Sequence, residues 1–383
     1  MNRCKELDAY FRLPGTVATA RGDEVVLEDG RQLLDLYGGH CVNTLGAGDT
    51  GVSSAVARQW AELSFTTNLF DHGSRQSFLD AFGSTLPSGD WNVFLSNSGA
   101  EANENALKAA LSATGRSRVL AFDGAFHGRT AAAEAVTDTK KRAYPRSPFD
   151  VERVPFGDLE QVSTALDDSF AAVILEPIQS MAGIVVPPEG FLAGLRELCS
   201  RHGVALIFDE VQTGNGRLGT GWASQAFDVI PDVFTTAKGA ASGLPIGITV
   251  LSNDIAQKVG SGLFGSTFGG GPTILAAATE VSKRIAEGQL LENVRAASAA
   301  FSTQAVTGPV VSVRGVGLLL GLELEAGLTA GNVRDSLYSS GILVGTSANP
   351  SVLRLLPPLT IQPKSAELLS QALASFSNVE VTS

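Results

Sequence analysis

Histidine and cysteine are scarce in this chain, with four and three among 383 residues. Cys4, Cys41 and Cys199 lie far apart, are odd in number and share no metal-ligand spacing, which points to free thiols rather than a disulfide framework or a metal site. His40, His72, His127 and His202 form no H-x-x-x-H pair. Positive charge is also short: 28 Lys and Arg face 39 Asp and Glu, a formal charge of −11, and no basic run occurs. Such a balance disfavours a non-specific nucleic-acid or anionic-membrane binder, because phosphate neutralisation needs clustered cations. Long apolar runs are missing; each is cut by Gly, Pro or charge well short of a membrane span. The start, Met-Asn-Arg-Cys-Lys-Glu, has no apolar stretch of secretory type. These absences predict a soluble cytoplasmic protein whose ligands are small molecules, with no nucleic acid, membrane or metal.

What is present suits a well-buried α/β enzyme. Hydrophobic residues make up 44% and charged ones 17%, and the length accommodates two domains. Glu24 to Leu36 alternate around Asp29-Gly30, a hairpin signal. Helical patterns over Gly51–Leu63, Arg75–Leu86, Ala100–Ser112 and Phe191–His202 alternate with strand patterns. The strand patterns are Trp91–Ser96, Arg118–Phe122, Ala171–Leu175, Val204–Phe208, Val233–Thr236 and Ile246–Leu251. Short Val-, Ile- and Phe-rich strands between amphipathic helices predict a mostly parallel sheet covered on both faces. After the Gly-rich Gly265–Gly271 stretch the texture changes: helices over Ile274–Glu287 and Leu290–Phe301, a strand pair near Val311–Glu323, a helix, a strand near Val352–Leu356 and a last helix. The expected organisation is an N-terminal segment 1–50 belonging to the smaller domain, a large domain 51–271, and a small α+β domain 272–383.

Two apolar runs end in ionisable groups: Leu206-Ile-Phe-Asp209 and Val233-Phe-Thr-Thr-Ala-Lys238. Strand ends of open α/β sheets are where ligands sit. An amine and a carboxylate delivered to one crevice are what pyridoxal phosphate requires, the amine for its aldehyde and the acid for its ring nitrogen. At Ser96-Asn-Ser-Gly-Ala-Glu101 a strand gives way to a helix, and the small residues Ser98, Gly99 and Ala100 let backbone amides approach an anion at the positive end of the helix dipole. The plainer reading is a helix cap by Ser98 with Glu101 as its capping-box partner. Phe126-His-Gly-Arg129 offers an aromatic to stack on a flat ring and an arginine for a carboxylate. Arg354 sits inside the apolar run Val352–Leu356, where a cation needs either an internal acid or a substrate carboxylate.

Taken together, these segments resemble the class III (ornithine-type) aminotransferases of the fold-type I pyridoxal phosphate superfamily, and most of all the N-acetylornithine branch. The resemblance rests on Asn97-Ser-Gly-Ala-Glu-Ala-Asn103, Phe126-His-Gly-Arg-Thr130, Glu176-Pro-Ile-Gln179, Asp209-Glu-Val-Gln-Thr-Gly214, Ala237-Lys-Gly239, Gly265-Ser-Thr-Phe-Gly-Gly270, Arg354-Leu-Leu-Pro-Pro358 and Asn68-Leu-Phe70. It implies an α/β fold with a large domain built on a mixed, mostly parallel sheet plus a smaller α+β domain. It implies that Lys238 carries the cofactor aldehyde and moves the substrate proton, Asp209 pairs with the ring nitrogen, Gln212 contacts the ring hydroxyl, and Phe126 stacks on the ring. Gly99 and Ala100 hold the phosphate in that scheme, with Thr267 reaching it from a neighbouring subunit and Ser266 lying near the substrate, so a homodimer shares its sites. Arg129 then binds the α-carboxylate of an acylated diamino acid, and Arg354 that of 2-oxoglutarate or glutamate. The implied reaction moves the terminal amine of N2-acetyl-L-ornithine to 2-oxoglutarate. Succinylornithine, ornithine, 4-aminobutyrate or diaminobutyrate as donor, or a glutamate-1-semialdehyde-type mutase, are the alternatives.

The chain departs from that pattern twice. After Glu176-Pro-Ile-Gln179 relatives read Gly-Glu-Gly-Gly or Gly-Glu-Ala-Gly, whereas here the run is Ser180-Met181-Ala182-Gly183. The resemblance makes that glutamate the partner of Arg354, and Met181 cannot neutralise a guanidinium. Arg354 is therefore expected to have no acidic partner. Leu45-Gly-Ala-Gly-Asp49 also replaces a Gly-His-x-His-Pro run near the expected substrate entrance.

Overall fold

A computed structural model describes residues 4–140 and 142–376. The ends of the expected terminal segments, residues 1–3 and 377–383, lie outside it. At its centre is a seven-stranded sheet in the order Trp91–Ser96, Gly247–Ser252, Val233–Thr236, Ala205–Asp209, Phe170–Leu175, Arg118–Phe122, Asp150–Val154. Pairings from Val233–Thr236 to Asp150–Val154 are all parallel. Gly247–Ser252 runs antiparallel to both of its neighbours. Phe170–Leu175 and Ala205–Asp209 are buried at every residue, as strands covered by helices on both faces must be.

The predicted elements sit close to the observed ones. Trp91–Ser96, Arg118–Phe122, Phe191–His202 and Val233–Thr236 have the predicted bounds. The helix expected at Arg75–Leu86 instead spans Gly73–Gly83, since Ser84 and Leu86 already form the turn that follows. Among the elements with no sequence expectation are the strands Val17–Arg21 and Asp150–Val154 and the helices Ala131–Val136 and Leu159–Ala165.

Two smaller sheets complete the fold. One joins Val17–Arg21, Glu24–Leu27 and Gln32–Asp35 to Ile342–Leu343, which pairs in parallel with Leu34 and Asp35. The other orders Val310–Val316, Leu319–Leu324, Val352–Leu355 and Gly345–Thr346. The Leu45–Asp49 run has a structural task. Gly46, at φ +84°, packs on the Gly22 backbone, and a Cβ there would fall 2.9 Å from Gly22 Cα. Asp49 caps the helix Thr50–Glu62 through the Val52 amide. Among the described residues no helix is long and apolar enough to cross a membrane.

Candidate active site

Six of the seven central strands point the same way, and the chain leaves several of their carboxyl ends through the residues of one cavity of about 330 Å³. Gly99 and Ala100 follow Trp91–Ser96, Phe126 to Thr130 follow Arg118–Phe122, Glu176 follows Phe170–Leu175, Asp209 ends its own strand, and Lys238 lies just past Val233–Thr236. Convergence of strand ends explains how residues spread over 140 positions reach one crevice.

The helix Gly99–Thr114 opens onto the cavity. Ser98 Oγ accepts from the Glu101 amide at 3.2 Å, so its side chain caps the helix. The first helical amides, those of Gly99 and Ala100, have no partner one turn earlier and face a site that an anion can fill. A Cβ on Gly99 would press on Val211 at 3.0 Å, and one on Gly128, at φ +136°, would meet Ala100 Cβ at 2.7 Å. Both positions need glycine for close approach.

Asp209, 4% exposed, is fixed from three sides. Its Oδ2 accepts from Asn103 Nδ2 and lies against His127 Nδ1, both at 2.8 Å, while Oδ1 accepts from the Val211 amide at 3.0 Å. Asn103 is itself held by Thr235 Oγ1 and donates to the His127 carbonyl. Beside them Glu176 accepts from the Phe126 and Ser180 amides. Burial, reinforced by the charge of Asp209, pushes Glu176 up to about 7. Burial also draws the Lys238 amine below its ordinary range, Arg354 adding to the effect while Cys41, Asp209 and Glu176 oppose it. An amine so placed spends more time neutral, and hence nucleophilic, than a surface lysine.

These features fit pyridoxal phosphate: amides for a phosphate, Phe126 and Val211 as apolar walls, a fixed carboxylate, and an enclosed amine. Arg129 lines the same cavity, with its guanidinium 5.1 Å from the Phe126 ring centre and no ion pair among the described residues.

Arg354 is 2% exposed and meets no carboxylate among the described residues. Its Nε donates to the Thr346 carbonyl at 2.7 Å, Nη1 to Ser180 Oγ at 3.1 Å and Nη2 to Tyr37 Oη at 2.7 Å. The internal acid that sequence reasoning allowed for is absent among the described residues. Ser180 also donates to Gln212 Oε1 at 3.0 Å, linking Arg354 to a residue of the cavity wall.

The structure thus gathers Gly99, Ala100, Phe126, Arg129, Asp209, Gln212 and Lys238 around one cavity, with Ser98 capping its helix and Arg354 joined through Ser180. Ser266 and Thr267 do not line that cavity in their own chain. Ser266 Oγ accepts from Asn97 and from the Gly269 amide, and Thr267 is exposed. Sequence reasoning gave no role to Asn103, His127, Glu176, Tyr37 or Ser180. The first three stood inside the quoted motifs and Ser180 opened the divergent run Ser180–Gly183, so their signal was present; Tyr37 had none.

The family description Aminotransferase class-III matches residues 10–379. The acetylornithine aminotransferase of Mycobacterium tuberculosis (strain ATCC 25618 / H37Rv) is 41% identical over 353 residues, covering 90% of this chain and 88% of that protein. Ornithine aminotransferase from Toxoplasma gondii ME49 has a TM-score of 0.87 at 27% identity, covering 96% of this chain and 91% of that one. N-acetylornithine aminotransferase from Stenotrophomonas maltophilia K279a has a TM-score of 0.82 at 30% identity, with coverages of 95% and 96%. The chain belongs to the class-III aminotransferases. It is a transaminase of the fold-type I α/β class and uses pyridoxal phosphate.

Proposed function

We infer that this transaminase moves the terminal amine of N2-acetyl-L-ornithine to 2-oxoglutarate, giving the semialdehyde and L-glutamate. Curated relatives named acetylornithine aminotransferase, at up to 42% identity, support the choice of donor. The observation that carries it is Arg129, whose guanidinium lies in the same cavity as Lys238 and makes no ion pair among the described residues. An arginine so placed holds a substrate's α-carboxylate and turns its distal amine toward the reacting centre. That arrangement favours a donor with an α-carboxylate over a simple ω-amine.

When bound, pyridoxal phosphate supplies the aldehyde that takes up the amine and the ring that accepts the electrons. The chain supplies everything else. Gly99 and Ala100 amides would hold its phosphate, Phe126 would pack on its ring, Gln212 would meet the ring hydroxyl and Asp209 would favour the protonated ring nitrogen. Lys238, its basicity lowered by burial, takes the proton from the amine-bearing carbon of the donor and returns one on the other side of the exchange. Arg354 receives the carboxylate of 2-oxoglutarate.

The protein acts as a cytoplasmic homodimer in this reading, with Ser266 and Thr267 completing the partner's site. Exposed Leu69 at 88%, Phe70 at 67% and Phe268 at 64% cluster by sequence with Asn68 and Ser266, which are hydrogen-bonded; such an apolar patch suits a second copy. Residues 51–271 form the cofactor domain and 272–383 the smaller one. The pairing of Ile342–Leu343 with Leu34–Asp35 supports assigning residues 1–50 to the latter.

The test is a half-reaction screen. Holoenzyme is mixed with acetylornithine, ornithine, glutamate or 4-aminobutyrate without keto acid, and conversion of the cofactor is followed by its visible absorbance. Acetylornithine should react fastest of the ω-amines. Faster conversion by ornithine or 4-aminobutyrate would reject this donor.

A further inference from the structure

Tyr37 and His40 stand beside Arg354 and have no part in the chemistry described so far. Tyr37 Oη lies 2.7 Å from Arg354 Nη2 and 2.8 Å from His40 Nδ1. Arginine has only donors, so the phenol oxygen accepts from it, and the phenol's single hydrogen goes to His40 Nδ1. Burial raises the Tyr37 phenol, which keeps that hydrogen in place. Desolvation, with Arg354 and Lys238 adding their charge, lowers His40, which keeps Nδ1 free to accept.

The fold builds this contact from the other side too. Gly345 is the cross-strand partner of Arg354, and a Cβ at Gly345 would overlap the Tyr37 ring. The ring therefore rests on the strand that flanks Arg354, 5.6 Å from the guanidinium. His40 adopts φ +62°, a backbone setting that L residues rarely take and that Asn and Gly tolerate well.

We propose that Tyr37, oriented by His40, is a positioning residue that presents Arg354 to the substrate carboxylate in place of an acidic counter-ion. The inference rests on the reading of Arg354 as the carboxylate site. A guanidinium has five N–H groups. Three are spent on Thr346, Ser180 and Tyr37, all neutral, which leaves one on each Nη. A carboxylate that took one hydrogen from each Nη would be held bidentately. Because no acid among the described residues occupies the arginine, no such ion pair must break before the ligand binds. The hydroxyls fix the long side chain beforehand, so little ordering remains to be done on binding.

The test measures affinity, not turnover. Glutarate, a five-carbon diacid with no reactive carbonyl, is titrated calorimetrically into the holoenzyme. Tyr37→Phe keeps the ring on Gly345 and removes only the oxygen; glutarate should bind about tenfold more weakly. His40→Gly fits the backbone but deletes the acceptor, and should weaken binding in the same direction. His40→Asn retains an acceptor near the Nδ1 position and should restore wild-type affinity. Adding His40→Gly to Tyr37→Phe should change nothing further, since the histidine acts through the phenol. Binding by Tyr37→Phe within about twofold of wild type, or equal binding by His40→Gly and His40→Asn, overturns the proposal. Arg354→Gln distinguishes the underlying reading: if it leaves glutarate affinity intact, Arg354 is not the carboxylate site and the role of Tyr37 falls with it.

Discussion

His127 Nδ1 and Asp209 Oδ2 lie 2.8 Å apart, wholly inside the protein, and Asn103 Nδ2 donates to the same oxygen. His127 Nε2 has no hydrogen-bond partner among the described residues, so the ring's other nitrogen gives it no second anchor. The carboxylate is consequently held by the Asn103 amide and the Val211 backbone as much as by the histidine. This fixation gives the acid a defined direction into the cavity, which a loosely held aspartate at a strand end lacks.

Replacing Asp209 with Asn preserves shape and removes the charge that, in the proposed scheme, would face the ring nitrogen. Turnover should fall by about a thousandfold, the scale of losing one preorganised charge at a reacting centre. Cofactor content should change little, because the phosphate cradle and Lys238 remain. Stopped-flow measurement of the donor half-reaction checks this. Near-normal rates in Asp209→Asn would show that the carboxylate does not support the chemistry.

Arg129 lines the cavity and makes no ion pair among the described residues. Arg129→Leu should raise KM for acetylornithine by about thirtyfold, the loss expected for one charge-assisted contact. KM for 2-oxoglutarate should stay within about twofold, since Arg354 serves that substrate in the proposed scheme. Equal increases for both substrates would mean that one arginine handles both carboxylates.

Much of this was legible beforehand, and the exceptions have physical causes. Trp91–Ser96 and Val233–Thr236 carry strong apolar runs, so their bounds were readable. Asp150–Val154 reads Asp-Val-Glu-Arg-Val, an edge strand that is only partly buried, and its two apolar residues gave no usable period. Hydropathy also carries no direction, so the antiparallel course of Gly247–Ser252 could not be read from it. Lys238 and Asp209 announced themselves as charged ends of apolar runs. The hydroxyls around Arg354 did not, because Tyr37 lies 317 positions away and meets it only through the fold. The expectation that Arg354 lacks an acidic partner did come from sequence, through Met181.

Glu210 gives a pH test of stability that leaves Glu176, on the cavity wall, in place. Burial pushes it from 4.5 up to about 7, although it accepts from the Ala223 and Ser224 amides and from Thr213. A raised carboxylate means that the folded protein keeps a proton which the unfolded chain has already released. Its stabilising share is complete below pH 4.5 and is lost as pH rises to about 7. Glu210→Gln removes that share, so its melting temperature should decline less than the wild type's across this window. Thermal melts at several pH values decide it; parallel curves would mean that Glu210 does not titrate there.

Whether two chains share each site can be decided without a structure of the pair. Ser266 and Thr267 stand outside the cavity of their own chain, while Lys238 lines it. Lys238→Ala removes the amine of a site, and Thr267→Asp sets a carboxylate against the phosphate; each homodimer should be inactive. If Thr267 serves the partner's cavity, a mixed dimer has one site with both substitutions and one with neither. Co-refolding equal amounts makes half of the dimers mixed, so activity should return to about a quarter of the wild-type level. Should each cavity be completed by its own chain, every site in the mixture carries one defect and no activity returns. Cofactor absorbance read on the same samples distinguishes a restored site from one that is merely folded. A recovery near zero with normal dimer formation would assign Thr267 to the cavity of its own chain and leave the dimer without a shared site.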